Sequence, residues 1–407
     1  MLKRSLYILI VSCLLLSCTD NSYRGTEGSG LSNEPIPVRV VVGDPDNMFV
    51  TKGHGAVDQN AEFWKGSPIY VYAFKKDLLT SFDVTSAEDS WNCLLDGSID
   101  RPGSLSGKIA QIGELDSWAS WPGQIVYYPM STQPYDFYAY FIDDMTVQES
   151  SIDRSADKIT MPVEIDGSQD LMSAKAEFDE SYYNLDGYTE EEKANLLNYS
   201  FGAYTAAQQI EPVIYFKHHL VRLCFDFYAG YTESTGKQIY IDSVKVRTRT
   251  RGDFTVVSRH TEEMGVDFSK DTRSDAQLPY LKLKDRNGAK LEPQLLPPST
   301  DDVNMGNIYN EVEPMRFGES LLVAPDDEYQ VIVYLTEQLR NGRFTRYSSV
   351  LNVKPGTGTF KSGNQYNLRY AIYGVTEVNV SVSLTEWWDG GSLTVGEDVD
   401  NPPTGRI

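Results

Sequence analysis

Residues 377–384, EVNVSVSL, decide the fold class, because polar and apolar side chains alternate through the whole segment. The apolar members are Val378, Val380, Val382 and Leu384. On an extended chain these four side chains lie on one side and the polar ones on the other. This period of two predicts an antiparallel strand with one dry face and one wet face.

The same strand-like pattern recurs along the chain, at residues 37–42, 69–74, 135–141 and 329–335. Turns that contain glycine or proline separate these segments, as is typical of β-sandwiches. The sequence therefore predicts an all-β protein built from antiparallel sheets.

A single strong helical signal interrupts this pattern. Thr189 can act as an N-cap and Glu192 as the third helical residue of a capping box. We expect a short helix that begins there and runs through Leu197.

The domain organisation follows from a weak patch at residues 203–209, just before a strong apolar strand predicted over 213–227. We place a domain boundary near residue 208. The expected β-sandwich domains are 36–208 and 209–393, followed by an exposed tail over 394–407.

The composition is that of a folded, acidic protein. The chain has 407 residues, with 36 Lys and Arg against 58 Asp and Glu, for a net charge of −22. A general nucleic-acid binder or a polybasic lipid-docking protein would need the opposite balance. Tyrosine is abundant, with 26 residues against 16 Phe and 6 Trp. Because Tyr favours strands and half-wet surfaces, this composition favours an all-β extracellular protein.

The amino end predicts export. Lys3 and Arg4 precede an apolar run over residues 6–16, which is the pattern of a secretory signal and too short to span a bilayer. The segment LLSC at 15–18 resembles the bacterial lipobox, in which the cysteine is lipidated. Acyl chains on Cys18 would hold the protein on a membrane.

Two alternatives to this interpretation stay open. Cys13 ends a second lipobox-like segment, but its use would leave a very short apolar core. A plain secretory signal with a coincidental cysteine is the other. We favour a signal peptide over 1–17, lipidation at Cys18 and a flexible tether over 18–35.

Enzyme motifs are missing from the sequence. His218 and His219 are adjacent in a strand-like run, so their side chains point to opposite faces and cannot jointly bind one zinc in the usual way. Residues 103–107 have leucine where a hydrolase elbow needs serine, and 356–361 lack P-loop spacing. We predict no catalytic residue, no cofactor and no metal. Nor do we predict a disulfide between the two distant cysteines, Cys93 and Cys224.

Arg251-Gly252-Asp253 matches the tripeptide that integrins read on host proteins. A three-residue match is common by chance. We favour coincidence over a receptor motif.

A row of cations overlaps this tripeptide. Lys245, Arg247, Arg249 and Arg251 alternate with valine or threonine, which on a strand puts four cations on one face. The face could be solvated and paired with local acids, or it could contact the acidic surface of a neighbouring subunit. We favour local pairing.

Several segments together resemble a known family. In chain order they are Cys18 with its tether, the strand 38–42, VTKG at 50–53, IVYYP at 125–129, YDFYAY at 135–140, DLMSAKA at 170–176, FKHHLVRLCF at 216–225, GNQYNL at 363–368, and the run 378–384 continued by TEWWDGG at 385–391. Their order looks like the fimbrillin family of Bacteroidetes, the type V pilins with their tip and anchor relatives.

This resemblance implies a structural role at the cell surface. Fimbrillins have two transthyretin-like β-sandwich domains in tandem and are exported as outer-membrane lipoproteins. An arginine-specific protease removes their leader with the first strand, and a strand from another pilin subunit, the same or paralogous, fills the groove. Such subunits mediate adhesion, so ligands on host or bacterial surfaces are further partners that the resemblance implies.

Carried onto this chain, the resemblance makes 37–42 the removable strand, with Val38, Val40 and Val42 on one face. The matching cleavage position is Lys52, not an arginine. A lysine-tolerant protease and an uncleaved anchor-type subunit are therefore both open.

The alternative function is that of a surface lipoprotein that binds glycans. The tryptophans that could stack on sugars are Trp118, Trp121, Trp387 and Trp388. We favour core and turn positions for them. An enzyme is the weakest hypothesis.

Overall fold

The structure, a computed structural model, describes residues 34–42, 68–76, 93–99, 101, 103–112, 118–121, 123–143, 148–178, 180, 183–285, 288–299 and 308–386. The predicted signal peptide, Cys13, Cys18, Lys52, Trp387, Trp388 and the tail lie outside the described residues.

Strands dominate the described chain, which confirms the all-β class. The strands of the first half are β1 (Val40–Val42), β2 (Pro68–Lys75), β3 (Cys93–Leu95), β4 (Lys108–Ile112), β5 (Trp118–Ser120), β6 (Tyr135–Ile142), β7 (Asp153–Arg154), β8 (Lys158–Glu164), β9 (Leu171–Lys175), β10 (Val213–Ile214) and β11 (Lys217–His218). Those of the second half are β12 (Val221–Ala229), β13 (Gln238–Arg247), β14 (Arg251–Ser258), β15 (Gly265–Asp267), β16 (Tyr280–Lys282), β17 (Gln294–Leu295), β18 (Met315–Arg316), β19 (Leu321–Val323), β20 (Tyr329–Gln338), β21 (Phe344–Val353), β22 (Asn364–Gly374) and β23 (Glu377–Glu386). The α-helices are α1 (Glu190–Asn198), α2 (Ala203–Ala206) and α3 (Ile308–Glu311). Single 3₁₀ turns lie at Gly97–Ile99, Glu149–Ser151, Glu233–Thr235, Thr261–Glu263, Phe268–Lys270 and Asp275–Gln277.

The described strands form four sheets. Sheet 1 has the order β10-β1-β5-β4-β2-β6-β9-β11, with β3 beside β2. Sheet 2 has the order β18-β12-β22-β23 with β19 beside β12, and sheet 3 has the order β16-β13-β20-β21 with β17 beside β13. Sheet 4 has the order β15-β14-β8-β7. Most neighbours are antiparallel, but β1 pairs with β10, and β12 with β22, in parallel.

Sheet 1 is buried on both faces. One face shares a core with the α1–α2 segment, to which Leu196, Phe201 and Ala203 belong. The other face packs on sheet 4, where the Tyr140 and Phe254 rings meet edge to face at 6.2 Å. Burial on both faces explains why β2 and β6 read as nearly continuous apolar runs.

Sheet 4 joins the two halves of the chain, because β14 pairs with β8 over Arg251–Glu164 to Ser258–Lys158. The predicted boundary near residue 208 stays a prediction, as does the transthyretin-like arrangement. A strand from beyond that position nevertheless completes a sheet that begins before it.

Sheets 2 and 3 pack face to face around a second core. Tyr329, Val331, Val333 and Leu335 of β20 are each 0 % exposed, as their alternation predicts. The same alternation in β23 predicts a buried face, but the strand is less buried than predicted. Its valines are only half-buried and Leu384 is 61 % exposed, because β23 is the edge strand of sheet 2.

The unbroken strand predicted over 213–227 is wrong. The chain pairs with β1 as β10, then with β9 as β11, and only then enters sheet 2 as β12. The apolar character is continuous because each piece is buried, but the pieces serve different sheets. Apolar content alone does not reveal such a change of sheet.

The predicted helix is present as α1. Glu192 donates its backbone N–H to Thr189 Oγ1 at 3.3 Å, and Thr189 donates its own to Glu192 Oε2 at 2.7 Å, which completes the capping box. None of the helices in the described chain has the length and apolar character needed to cross a membrane.

Candidate strand-exchange groove

The strand β1 lies inside sheet 1 and not at its edge. It pairs in parallel with β10 and antiparallel with β5, so that Val41 lies opposite both Val213 and Trp118. The Val41 N–H also donates to the Pro212 carbonyl at 2.9 Å. Backbone pairing on both sides is what an inserted strand requires.

The pairing continues upstream of β1. The Val38 N–H donates to the Val126 carbonyl at 2.8 Å, and the Tyr128 N–H donates to the Ile36 carbonyl at 2.9 Å. Residues 36–42 therefore form one extended segment. Its beginning is hydrogen-bonded to residues 126–128, and its end is paired with β5 and β10.

The side chains of this segment are part of the core. Val38, Val40, Val41 and Val42 are 4 %, 0 %, 2 % and 2 % exposed. The burial of Val41 is not expected from a strand with one wet face. Complete burial of a valine contributes about 1.5–3 kcal/mol, so the four together match the net stability of a whole domain in order of magnitude. An empty groove would therefore be unstable.

Charged groups lie at the mouth of the groove. Arg39 is exposed, and its guanidinium lies 5.8 Å from the centre of the Trp118 ring. Glu211 directly precedes Pro212 in the chain, and burial raises the pKa of its carboxyl to about 7, while the positive charge of Arg39 partly offsets that shift. The Tyr183 hydroxyl donates to the Glu211 carbonyl at 2.6 Å and fixes this corner.

The proposed removable strand is thus described, whereas the lipidation and cleavage positions are not. Cys18 and Lys52 lie outside the described residues, and their roles stay predictions. Sequence reasoning missed the burial of Val41, its pairing with Val213 and the position of Glu211 beside the groove. No local signal could have revealed them, because parallel pairing with β10 joins distant parts of the chain.

The Arg251-Gly252-Asp253 tripeptide lies in β14, in the middle of a sheet. Arg251 pairs with Glu164 of β8, and Asp253 pairs with Asp267 of β15. The Arg251 Nε donates to Glu164 Oε1 at 2.9 Å. Both edges of the tripeptide are thus occupied, which favours coincidence, since a receptor would need the segment in an accessible loop.

The predicted row of four cations on one strand is wrong. The strand β13 ends at Arg247, and the chain turns through buried Thr248 and Thr250 before β14 begins. Arg249 pairs with Asp326 at 3.1 Å and Arg251 with Glu164 at 2.9 Å, so these two are locally compensated.

The adjacent histidines bind different partners. His218 Nδ1 lies 2.7 Å from Asp170 Oδ2, and His219 Nε2 lies 2.8 Å from Ser173 Oγ. Within the described ranges no three His, Cys, Asp or Glu side chains are grouped as a metal site would need. Cys93 and Cys224 are buried as free thiols, in sheet 1 and sheet 2 respectively.

The sequence matches the fimbrillin-like family model over residues 106–387, which is well over half of the chain. The chain belongs to the fimbrillin-like family. Its match begins between β3 and β4 and ends just after β23.

The solved structures to which the chain is similar include proteins of Bacteroides and Porphyromonas. A fimbrial protein from Bacteroides vulgatus has 11 % identity and a TM-score of 0.44, with 86 % of this chain and 99 % of that chain covered. The fimbrial anchor protein Mfa2 from Porphyromonas gingivalis has 10 % identity and a TM-score of 0.29, with 88 % and 100 % covered. The tip fimbrial protein Mfa3 of the same organism has 10 % identity and a TM-score of 0.29, with 86 % and 99 % covered. None of the curated proteins matches the chain significantly.

Proposed function

We propose that this fimbrillin-like chain is a structural, non-catalytic subunit of a cell-surface fimbria, and that it joins a neighbouring subunit by strand exchange at the groove filled by β1. The observation that carries the proposal is the interior position of β1, with pairing partners on both sides and four buried valines.

Release of residues 36–42 would unpair the facing edges of β5 and β10 and expose the valine pockets to water. Unpaired backbone groups and exposed apolar surface are both unfavourable, so the open form favours entry of another strand. The incoming strand needs an extended backbone and small branched side chains, which a second copy or a paralogous subunit can supply.

The decisive comparison is between the full chain carrying Cys18→Ala and a chain that begins at Gly53, which lacks the lipidation site. We expect the full chain to remain monomeric and the shortened chain to form oligomers, measured by light scattering. A synthetic peptide of residues 34–43 should suppress oligomer formation. The matched peptide with Val40→Asp and Val41→Asp should not, because it would bring two charges into the core. Monomers of equal thermal stability in both samples would exclude strand exchange at this groove.

Processing at Lys52 is the step that we infer opens the groove in cells. Mass spectrometry of the mature amino terminus on intact cells should find chains that begin at Gly53, and Lys52→Gln should abolish them. An intact Lys52 on assembled fimbriae would contradict activation by cleavage and favour an anchor-type subunit.

We further propose that the precursor is held in the outer membrane by lipid on Cys18. Cys18→Ala should move the protein from the detergent phase to the aqueous phase in phase separation, whereas Cys13→Ala should leave its partitioning unchanged. The reverse result would assign the lipid to Cys13.

The glycan-binding alternative built on tryptophans has less support. Trp121 is only 7 % exposed and belongs to the groove core, and Trp118 lies in the groove wall next to Arg39.

A further inference from the structure

The outer face of sheet 3 carries a group of cations, and we call it the cationic face. It is defined by Lys245 and Arg247 of β13, Lys282 of β16 and Arg346 of β21. Their register partners show that all four point away from the core. Lys245 lies opposite Lys282 and Ile332, Arg247 lies opposite Gln330, and Arg346 lies opposite Thr336. All four are at least partly exposed.

These four cations have no ion pair with any described residue, unlike several cations on neighbouring segments. Arg249, Lys284 and Lys354, for example, each pair with an acid within 3.1 Å. Asp242 is the one acid at the outward positions of the described strands of sheet 3, and its Oδ2 accepts a hydrogen bond from Thr336 Oγ1 at 2.6 Å. Uncompensated positive charge is unexpected in a chain whose net charge is −22.

The arrangement also carries a cost to stability. Lys245 and Lys282 are direct cross-strand partners. Like charges directly opposite each other destabilise a sheet. An anion bound between them would remove that repulsion.

Aromatic and amide side chains surround the cations. Lys245 Nζ lies 5.0 Å from the centre of the Tyr334 ring, and the Tyr280 hydroxyl donates to Gln330 Oε1. Gln330 Nε2 donates in turn to Asn352 Oδ1 at 3.4 Å. Tyr280 is 37 % and Phe344 is 62 % exposed, so the face offers open rings next to fixed polar groups.

We propose that the cationic face binds an anionic glycan, one whose sugars carry carboxylate or sulfate groups. Arg247 and the two lysines would bind the acidic groups, the tyrosine rings would stack on sugar faces, and the amides would bind hydroxyls. The centre of the face favours a glycan over an acidic protein surface, because lysine is depleted at the cores of protein interfaces. The site lies on sheet 3 and is independent of the β1 groove in sheet 1.

The test uses the full chain with Cys18→Ala and three probes measured by titration calorimetry: a heparin oligosaccharide, an oligogalacturonate and neutral dextran. We expect the first, the second or both to bind, with affinity that falls as salt rises, and dextran not to bind. The two charged probes distinguish sulfate from carboxylate recognition. Absence of binding to both would overturn the proposal.

Variants then locate the site. The triple variant Lys245→Gln, Arg247→Gln and Lys282→Gln should weaken binding at least about tenfold. A matched control, Lys158→Gln with Lys217→Gln and Lys361→Gln, removes the same charge from two exposed positions on other sheets and one in the loop before β22, and should retain binding. Equal loss in both would indicate general charge attraction and contradict a site.

A separate readout covers stacking and folding. Tyr334→Ala should weaken glycan binding while leaving the salt dependence of that binding unchanged. Lys282→Gln alone should not lower the melting temperature, because it removes a like-charge pair.

A different outcome would reassign the cationic face to protein docking. That outcome is self-association, or binding of an acidic protein, that depends on the cationic face and occurs without glycan binding. Strand exchange should proceed normally in all these variants, so failure here is distinct from failure of the fimbrial assignment.

Discussion

Val41 and Val213 lie opposite each other in the parallel strands β1 and β10, although one is near the amino end and the other is near the middle of the chain. The Val41 N–H donates to the carbonyl of Pro212 at 2.9 Å. The first described strand is thus held by a strand that follows every other strand of sheet 1 except β11 in the sequence. Because β1 is the first of these strands in the chain, its loss from the amino end would leave β5 and β10 in one chain, as the proposed strand exchange requires.

Val41→Asp should destabilise the protein by about 3 kcal/mol or more, because it would bury an unpaired carboxylate between β10 and β5. Urea unfolding measures the loss. Arg39→Gln, at the exposed neighbouring position, should change stability by less than about 0.5 kcal/mol. An unchanged urea midpoint for Val41→Asp would show that β1 is not part of the core in solution.

A buried ion pair offers a second prediction. Arg154 Nη2 lies 2.7 Å from Asp96 Oδ2, with side-chain exposures of 5 % and 0 %. Asp96→Ala should cost about 3–5 kcal/mol, because it leaves the guanidinium buried and unpaired. The double variant Asp96→Leu with Arg154→Met should recover most of that loss in urea unfolding.

The exposed pair between Lys193 and Glu190 on α1 is the control. Lys193→Ala should leave the urea midpoint nearly unchanged, because exposed ion pairs contribute little to stability. If Asp96→Ala were equally mild, the pair in the core would have to be hydrated and not buried as the fold has it.

Local pattern was enough to predict the strands whose two faces differ, such as β20, and the capped helix α1. It was not enough where burial comes from a partner far along the chain. The run 213–227 is apolar throughout, yet its pieces serve sheet 1 and then sheet 2. Hydrophobic periodicity predicts which side chains are buried, but it does not show which sheet buries them.

The candidate sites divide in the same way. The burial of Val40 and Val42 in β1 is predicted by their alternation, whereas the burial of Val41 is not. The cationic face was only half visible: Lys245 and Arg247 lie on one strand as alternation requires, but Arg249 and Arg251 leave it at the turn. Lys282 and Arg346 come to the face from other strands by register, which no local pattern contains.

His219 predicts a loss of stability at mildly acidic pH. Burial lowers the pKa of its imidazole from 6.5 to about 4, with Asp170 acting in the opposite direction. The unfolded chain therefore binds a proton between pH 6.5 and about 4 that the folded chain does not, and stability falls as pH falls through this range. His219→Gln, which can keep the hydrogen bond to Ser173, should reduce this decline in urea midpoints.

His260→Gln is the matched control, because the His260 side chain is 57 % exposed. This variant should follow the wild type across the same pH range. Parallel curves for His219→Gln and the wild type would show that His219 is protonated in the folded protein.

Glu211 gives the opposite pH dependence, and it does so at the exchange groove. Burial raises the pKa of its carboxyl from 4.5 to about 7, and the charge of Arg39 partly offsets the shift. Between these values the folded chain holds a proton that the unfolded chain has lost, so this group's contribution to stability is lost as pH rises from about 4.5 through about 7. Glu211→Gln should flatten that decline in urea midpoints measured across the range. The positive charge of Arg39 favours the ionised form of Glu211, so Arg39 should contribute to strand entry mainly where that carboxyl is charged. The shortened chain should then bind the 34–43 peptide more weakly when Arg39 of the peptide is replaced by Gln, and this weakening should be larger at pH 8 than at pH 6. A weakening that is equal at both pH values, or absent, would separate Glu211 from strand entry and leave the valines as the determinants of the groove.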